Sequence, residues 1–154
     1  MIDLKGTYNL LIKITALCLV FVLASPVMVN AESVNDVMPC ASYYLDAYNT
    51  YICTMGGGDI QIWYEVMGTG DMDEIGVLSI RLYESKDNSN WTWVKTYSYE
   101  NYSSMLLYDD WYQFSYVPYD GVAGRYYKAY VCIWAGKNGS GDTRYMWAPS
   151  VRAT

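Results

Sequence analysis

The sequence predicts an all-β protein whose strands pack as two antiparallel sheets, and three observations point there. From residue 48 onward, short runs of β-branched and aromatic residues alternate with Gly, Asn and Asp clusters, at the spacing of all-β domains. Helix signals are almost absent from that stretch. Seven such runs in about a hundred residues cannot bury themselves as one flat sheet, so a face-to-face pair is the economical solution.

The first element is an address rather than part of the fold. Lys5 and Lys13 supply a basic start, residues 14–23 are an uncharged apolar run, and Val29, Asn30 and Ala31 fit the small-residue pattern of a cleavage site. Residues 1–31 therefore read as a secretory signal peptide. A retained membrane anchor is the alternative, because no charge falls between Ile14 and Ala31, but Pro26 and Asn30 interrupt that run. Cleavage makes the protein secreted and extracellular, with no membrane association afterwards. Residues 32–46 then form an N-terminal arm, and residues 47–154 form one domain by the usual size prior.

The strands follow in order. The first, 48–54, is closed by Gly56, Gly57 and Gly58. The second, 59–67, places Ile60, Ile62, Tyr64 and Val66 on one face and Gln61, Trp63, Glu65 and Met67 on the other, the period of a half-buried strand. Gly68 and Gly70 end it. The third, 77–84, sets Leu78, Ile80 and Leu82 against Ser79, Arg81 and Tyr83, before a polar turn at residues 86–90. The fourth is 91–97 and the fifth 111–117, with residues 105–108 as a short edge strand between them. The sixth, 126–135, points Tyr127, Ala129, Val131 and Ile133 inward and Tyr130, Cys132 and Trp134 outward, since Lys128 fixes the exposed face. A hairpin connection over 136–142 leads to the seventh strand, 144–151. Seven such strands match an immunoglobulin or fibronectin III-like sandwich, although no antibody-type Cys-Trp-Cys spacing occurs. A small closed barrel is the alternative, because periodicity does not separate the two.

Composition then narrows the function. With no His in 154 residues, every Ser-His-Asp, Cys-His or His-ligated zinc site is excluded. A formal charge of −6 opposes a phosphate backbone and no basic stripe occurs, so nucleic acid is not an expected partner. The 18 Tyr and 6 Trp far outnumber the 2 Phe, which implies either a core with buried hydroxyls or a surface built for contact.

Several segments together carry a resemblance: Gly68-Thr-Gly-Asp-Met-Asp-Glu-Ile-Gly76 with Ser79-Ile-Arg-Leu-Tyr-Glu84, then Trp91-Thr-Trp-Val-Lys-Thr-Tyr97, and Gly121-Val-Ala-Gly-Arg-Tyr-Tyr127 through to Arg144. The chain resembles small secreted single-domain immunoglobulin-like proteins of Gram-positive, clostridial-type gut bacteria. That resemblance covers nearly all of the chain after the signal peptide and implies a fold and a compartment, without an activity. In that pattern the positions of Cys53 and Cys132 are usually small polar or apolar residues, so it implies no disulfide.

Three sets of residues are candidates for chemistry. Asp71, Asp73 and Glu74 lie in a Gly-bounded loop between strands two and three, where three carboxylates would offer oxygen ligands to Ca²⁺; a solvated turn is the alternative. No other cofactor is expected. Cys53 and Cys132 would close a long loop if paired in an oxidising compartment, Cys40 and Cys53 a short one, and all three as unbridged small apolar residues is the remaining alternative. Trp91, Trp93, Lys95 and Tyr97 recur at every second position of strand four, so they should share one face, opposite Val94. Exposed, that row would stack on sugar rings or partner side chains; buried, it would be core or edge cover. Tyr112, Phe114 and Tyr116 form a second such row on strand five.

These readings lead to a secreted, non-catalytic β-sandwich that binds an extracellular glycan or protein through exposed aromatics. The alternative is a structural or assembly protein of the cell envelope, joined through an open strand or a spare thiol. A bacteriocin-like effector ranks below both, and an enzyme last.

Overall fold

The computed structural model describes residues 42–154. The expected signal peptide, most of the expected N-terminal arm, Cys18 and Cys40 lie outside the described residues. Six antiparallel strands form one curled sheet: β1 (Leu45–Gly56), β2 (Asp59–Ser85), β3 (Thr92–Ser98), β4 (Leu106–Tyr119), β5 (Tyr126–Lys137) and β6 (Ser140–Arg152), with a single 3-10 turn at Ser103–Met105.

β2 organises the molecule. Its first half pairs with β1 on one side and β4 on the other, and its second half pairs with β3 and β5, the last of which pairs in turn with β6. The expected count of seven strands is thus corrected to six, because strands two and three are one 27-residue strand. Gly68 and Gly70, expected to end a strand, instead bend a continuous one. Between Met67 and Met72 the pairing with β4 advances from Tyr112 to Asp110, so four residues of β2 lie opposite Trp111 alone. A further irregularity between Val77 and Ser79 leaves Leu78 without a partner on β5. Each extra residue increases local twist, and the strand curls away from one set of neighbours toward the other. β1 thereby comes against β5 and β6, to which it is not hydrogen-bonded.

The turns are those the sequence chemistry demands. Asn138 and Gly139 have φ of 54° and 74° and close β5 onto β6 with Lys137 opposite Ser140, a two-residue Asn-Gly hairpin. β1 begins at Leu45, three residues earlier than its hydrophobic run suggests, because Asp142 on β6 accepts hydrogen bonds from the Ser42 hydroxyl and from the Tyr43 and Tyr44 amides. β4 joins the expected edge segment to the expected fifth strand across Asp109, whose φ is 55°.

The interior follows the predicted alternation. Ile60, Ile62, Tyr64 and Val66 of β2, and Tyr127, Ala129, Val131 and Ile133 of β5, are buried and packed together with Ile75, Val77, Ile80 and Leu82. Three tyrosines are wholly buried, and each hydroxyl has a partner. Tyr64 donates to the Ser104 carbonyl, Tyr97 to the Pro118 carbonyl, and Tyr127 to a Glu84 carboxylate oxygen. The tyrosine excess is therefore partly a core with its polar tips satisfied, since a buried hydroxyl without a partner would cost about 1–3 kcal/mol.

Candidate functional site

The outward face of the second half of the sheet gathers aromatics from four chain segments. Register sets it up: Arg81 lies opposite Tyr130, Tyr83 opposite Lys128, and Tyr130 opposite Trp147. Because opposed residues share a face, Arg81, Tyr83, Lys128, Tyr130 and Trp147 all point outward. The Tyr130 and Tyr145 rings stack at 5.6 Å and 11°, Tyr130 meets Trp147 at 4.8 Å, and Trp147 meets Tyr83 at 5.5 Å. The Lys128 ammonium sits between two indoles, 4.3 Å from the Trp91 centroid and 4.6 Å from that of Trp147. Such contacts fix the side chains in place, at about 0.5–1 kcal/mol each where exposed. Tyr145 is 61% and Trp147 46% exposed, so the group presents ring surface to solvent.

The expected row on strand four is divided. Trp93 is 58% exposed and Trp91 is half-buried, but Tyr97 is completely buried and Lys95 lies with it on the inner side, its ammonium 4.5 Å from the Tyr97 ring. The cause is a bulge: Leu82 pairs with Lys95 and Tyr83 with Trp93, which leaves Val94 as an extra residue. One extra residue reverses the phase of everything beyond it. Trp93 stays outside, its indole N–H donating to the Thr96 hydroxyl at 3.0 Å, and Trp91 joins the outer face through Lys128. Sequence reasoning missed Tyr83, Lys128, Tyr145 and Trp147 as one surface, although period-2 phase already placed Tyr130 outward.

A hollow of about 310 Å³ opens in this face, lined by Ser79, Arg81, Tyr130, Cys132 and Tyr145. Burial pushes the Cys132 thiol up, with the Tyr145 hydroxyl bond and the Arg81 charge opposing only in part. A thiol held above its usual range stays protonated at neutral pH and is a poor nucleophile. Among the described residues Cys132 and Cys53 are unpaired, which corrects the disulfide expected between them, while the Cys40–Cys53 alternative lies outside the described residues. The geometry explains it: each projects from the outer side of its strand, as Ile52 beside Cys53 and Val131 and Ile133 beside Cys132 fill the interior.

A second aromatic surface covers the first half of the sheet. Trp63 stacks with Tyr51 at 6.3 Å and meets Phe114 and Tyr116 at 4.9 and 4.6 Å. Phe114 and Tyr116 are exposed, and the Tyr112 hydroxyl donates to Glu65 at 3.0 Å. The row expected on strand five thus lies outward, with a carboxylate in its midst.

Asp71, Asp73 and Glu74 do not lie in a loop, as expected, but along β2, and they are used separately. Asp73 accepts from the Asn138 amide at 2.6 Å, Glu74 accepts from the Trp134 indole at 3.1 Å, and Lys137 donates to the Asp71 backbone carbonyl. Among the described residues no three His, Cys, Asp or Glu side chains are placed to hold a metal ion, so the Ca²⁺ cluster is not assembled. Asp73 and Glu74 instead line a cleft of about 390 Å³ with Tyr108, Trp134 and Lys137. Trp134 lies flat over the β5–β6 hairpin, where a Cβ at Gly136 or Gly141 would come within 2.6 Å of its ring.

No family model, curated protein or solved structure matches the chain.

Proposed function

We propose that this protein is a secreted, non-catalytic, immunoglobulin-like β-sandwich that binds an extracellular glycan through the outer face built on Tyr83, Trp91, Lys128, Tyr130, Tyr145 and Trp147. Two features support the finer fold. Taking the halves of β2 as separate strands, the hydrogen-bonded neighbours fall into a set of three (β1, β2, β4) and a set of four (β3, β2, β5, β6), an order that supports a sandwich of this type. Near the start of β5 the Tyr127 hydroxyl also accepts a hydrogen bond from the Val122 amide five residues upstream, at 2.9 Å. That is the arrangement of the tyrosine corner of immunoglobulin-like domains. Secretion rests on the basic start, apolar run and small-residue site of residues 1–31.

The glycan reading is carried by the chemistry of the face: packed, pre-oriented rings alternate with hydrogen-bonding side chains. Sugar C–H faces stack on aromatic rings, while hydroxyls require flanking donors and acceptors such as Ser79, Arg81 and the Tyr145 hydroxyl. Rings locked by mutual contact lose little rotamer freedom on binding. The test is saccharide binding by Trp147→Ala, which removes the ring that touches Tyr83, Tyr130 and Lys128. Loss of binding with an unchanged unfolding midpoint supports the proposal; undiminished binding contradicts it. A cell-envelope assembly role is favoured by one observation, the free and half-buried Cys53 thiol on β1, and predicts reductant-sensitive dimers on gels.

A further inference from the structure

The charge on the aromatic face is opposite to that of the chain. Over residues 79–83 of β2, 128–132 of β5 and 145–147 of β6, the outward side chains include two cations, Arg81 and Lys128, and no carboxylate. The whole chain carries 10 Lys and Arg against 16 Asp and Glu. Along β2 the carboxylates that flank this stretch are both engaged, Glu74 by the Trp134 indole and Glu84 by Tyr127 and Arg125. The second aromatic surface, by contrast, holds Glu65 among its rings.

The two cations are not equivalent. Lys128 is placed between the Trp91 and Trp147 rings. Arg81 is exposed, lines the hollow beside Tyr130 and Tyr145, and makes no ion pair among the described residues; the one bridge there joins Arg125 to Glu84. A guanidinium left unpaired beside stacked rings offers a planar fork of N–H donors that matches a carboxylate in bidentate fashion. Ser79 and the Tyr145 hydroxyl add further hydrogen-bonding groups around it. The volume of about 310 Å³ falls at the small end of the roughly 300–1,000 Å³ range of small-molecule sites.

We infer that the Arg81 hollow selects a sugar that carries a carboxylate, the acid paired with the guanidinium and the pyranose ring stacked on Tyr130, Tyr145 and Trp147. This rests on the glycan reading of the same face and adds the ligand class to it. Local charge, rather than the net charge of −6, decides the interaction, because at physiological ionic strength charges more than about 8 Å away are largely screened.

The test is calorimetric titration of the protein with matched pairs: oligogalacturonate against its methyl ester, and sialyllactose against lactose. The two pairs distinguish a uronic acid chain from a terminal nonulosonic acid. The acid of at least one pair is expected to bind roughly ten- to a hundredfold more tightly than its neutral partner, the worth of one charge-assisted contact. Arg81→Met should abolish that preference, bringing the acid's affinity down to that of its neutral partner measured on the same variant, Arg81→Lys should restore part of it, and added salt should weaken the acid more than the neutral sugar. Thermal unfolding of each variant verifies that it is folded. Equal affinity for acid and neutral forms, or a preference that survives Arg81→Met, overturns the acid-sugar inference while leaving the glycan reading intact. No binding of any of the four sugars, or binding unaffected by Trp147→Ala, overturns both.

Discussion

Replacing Tyr127 with Phe removes one oxygen and leaves the ring in place, which makes it a clean perturbation of the fold. Tyr127 is fully buried, its ring 5.7 Å from that of Tyr119. Its hydroxyl accepts from the Val122 amide at 2.9 Å and donates to Glu84 Oε2 at 2.8 Å, while Glu84 Oε1 pairs with Arg125. A bond to a charged acceptor contributes about 1.5–3 kcal/mol and a neutral one about 1 kcal/mol. Glu84 and Val122 both retain solvent access, so water recovers part of this. The net loss should be about 2 kcal/mol, which for a domain of this size corresponds to roughly 5–10 °C in Tm. Urea unfolding is the assay, because a lower midpoint at unchanged slope isolates stability from compactness. A loss below about 0.5 kcal/mol, within the ordinary scatter of surface substitutions, would refute the claim that this corner ties the start of β5 to the loop before it.

Three further outcomes follow from the same contacts. Burial holds the hydroxyls of Tyr64, Tyr97 and Tyr127 above their ordinary value of 10.0, Tyr127 to about 12, with Glu84 adding to the effect there. A raised folded pKa means the contribution is complete below pH 10 and is lost as pH rises through 12, so urea midpoints should be level from pH 8 to about 9.5 and then fall; a flat profile to pH 12 would contradict the burial. Gly76→Ala should cost at least about 3 kcal/mol or prevent folding, since φ is +145° and a Cβ would lie 2.0 Å from Gln113 Oε1 and 2.3 Å from the Met105 carbonyl, whereas Gly70→Ala meets nothing and should be near neutral by the same denaturation assay. Thiol titration of the native protein should find Cys132 slow to react until unfolding, and Tm should be insensitive to reductant; a reductant-dependent fall would contradict free thiols at Cys53 and Cys132.

What a single sequence reveals here is alternation, and where alternation is uninterrupted the reading holds. The inward set Ile60, Ile62, Tyr64 and Val66 and the inward set on β5 follow directly from period-2 burial. Bulges defeat it. The extra residue at Val94 sends Lys95 and Tyr97 inward although they share a phase with Trp93 in the sequence, and the extra residues after Met67 turn an apparent loop into the bend of a long strand. Nothing local marks either, since a bulge is a property of the pairing rather than of one strand. The platform was illegible for a related reason. Tyr83, Lys128 and Trp147 lie far apart in the chain and meet only because β2, β5 and β6 adopt one register.

The most direct test of the proposed binding face uses the indole N–H resonances of the 6 Trp residues, followed by NMR during titration with oligogalacturonate or sialyllactose. Trp91 and Trp147 flank Lys128 on the proposed face, and Trp63 lies on the opposite half of the sheet with Tyr51, Phe114 and Tyr116. Saturable shifts are expected at Trp147 and Trp91 while Trp63 stays still. Shifts confined to Trp63, or to Trp134 in the Glu74 cleft, would contradict the proposed face.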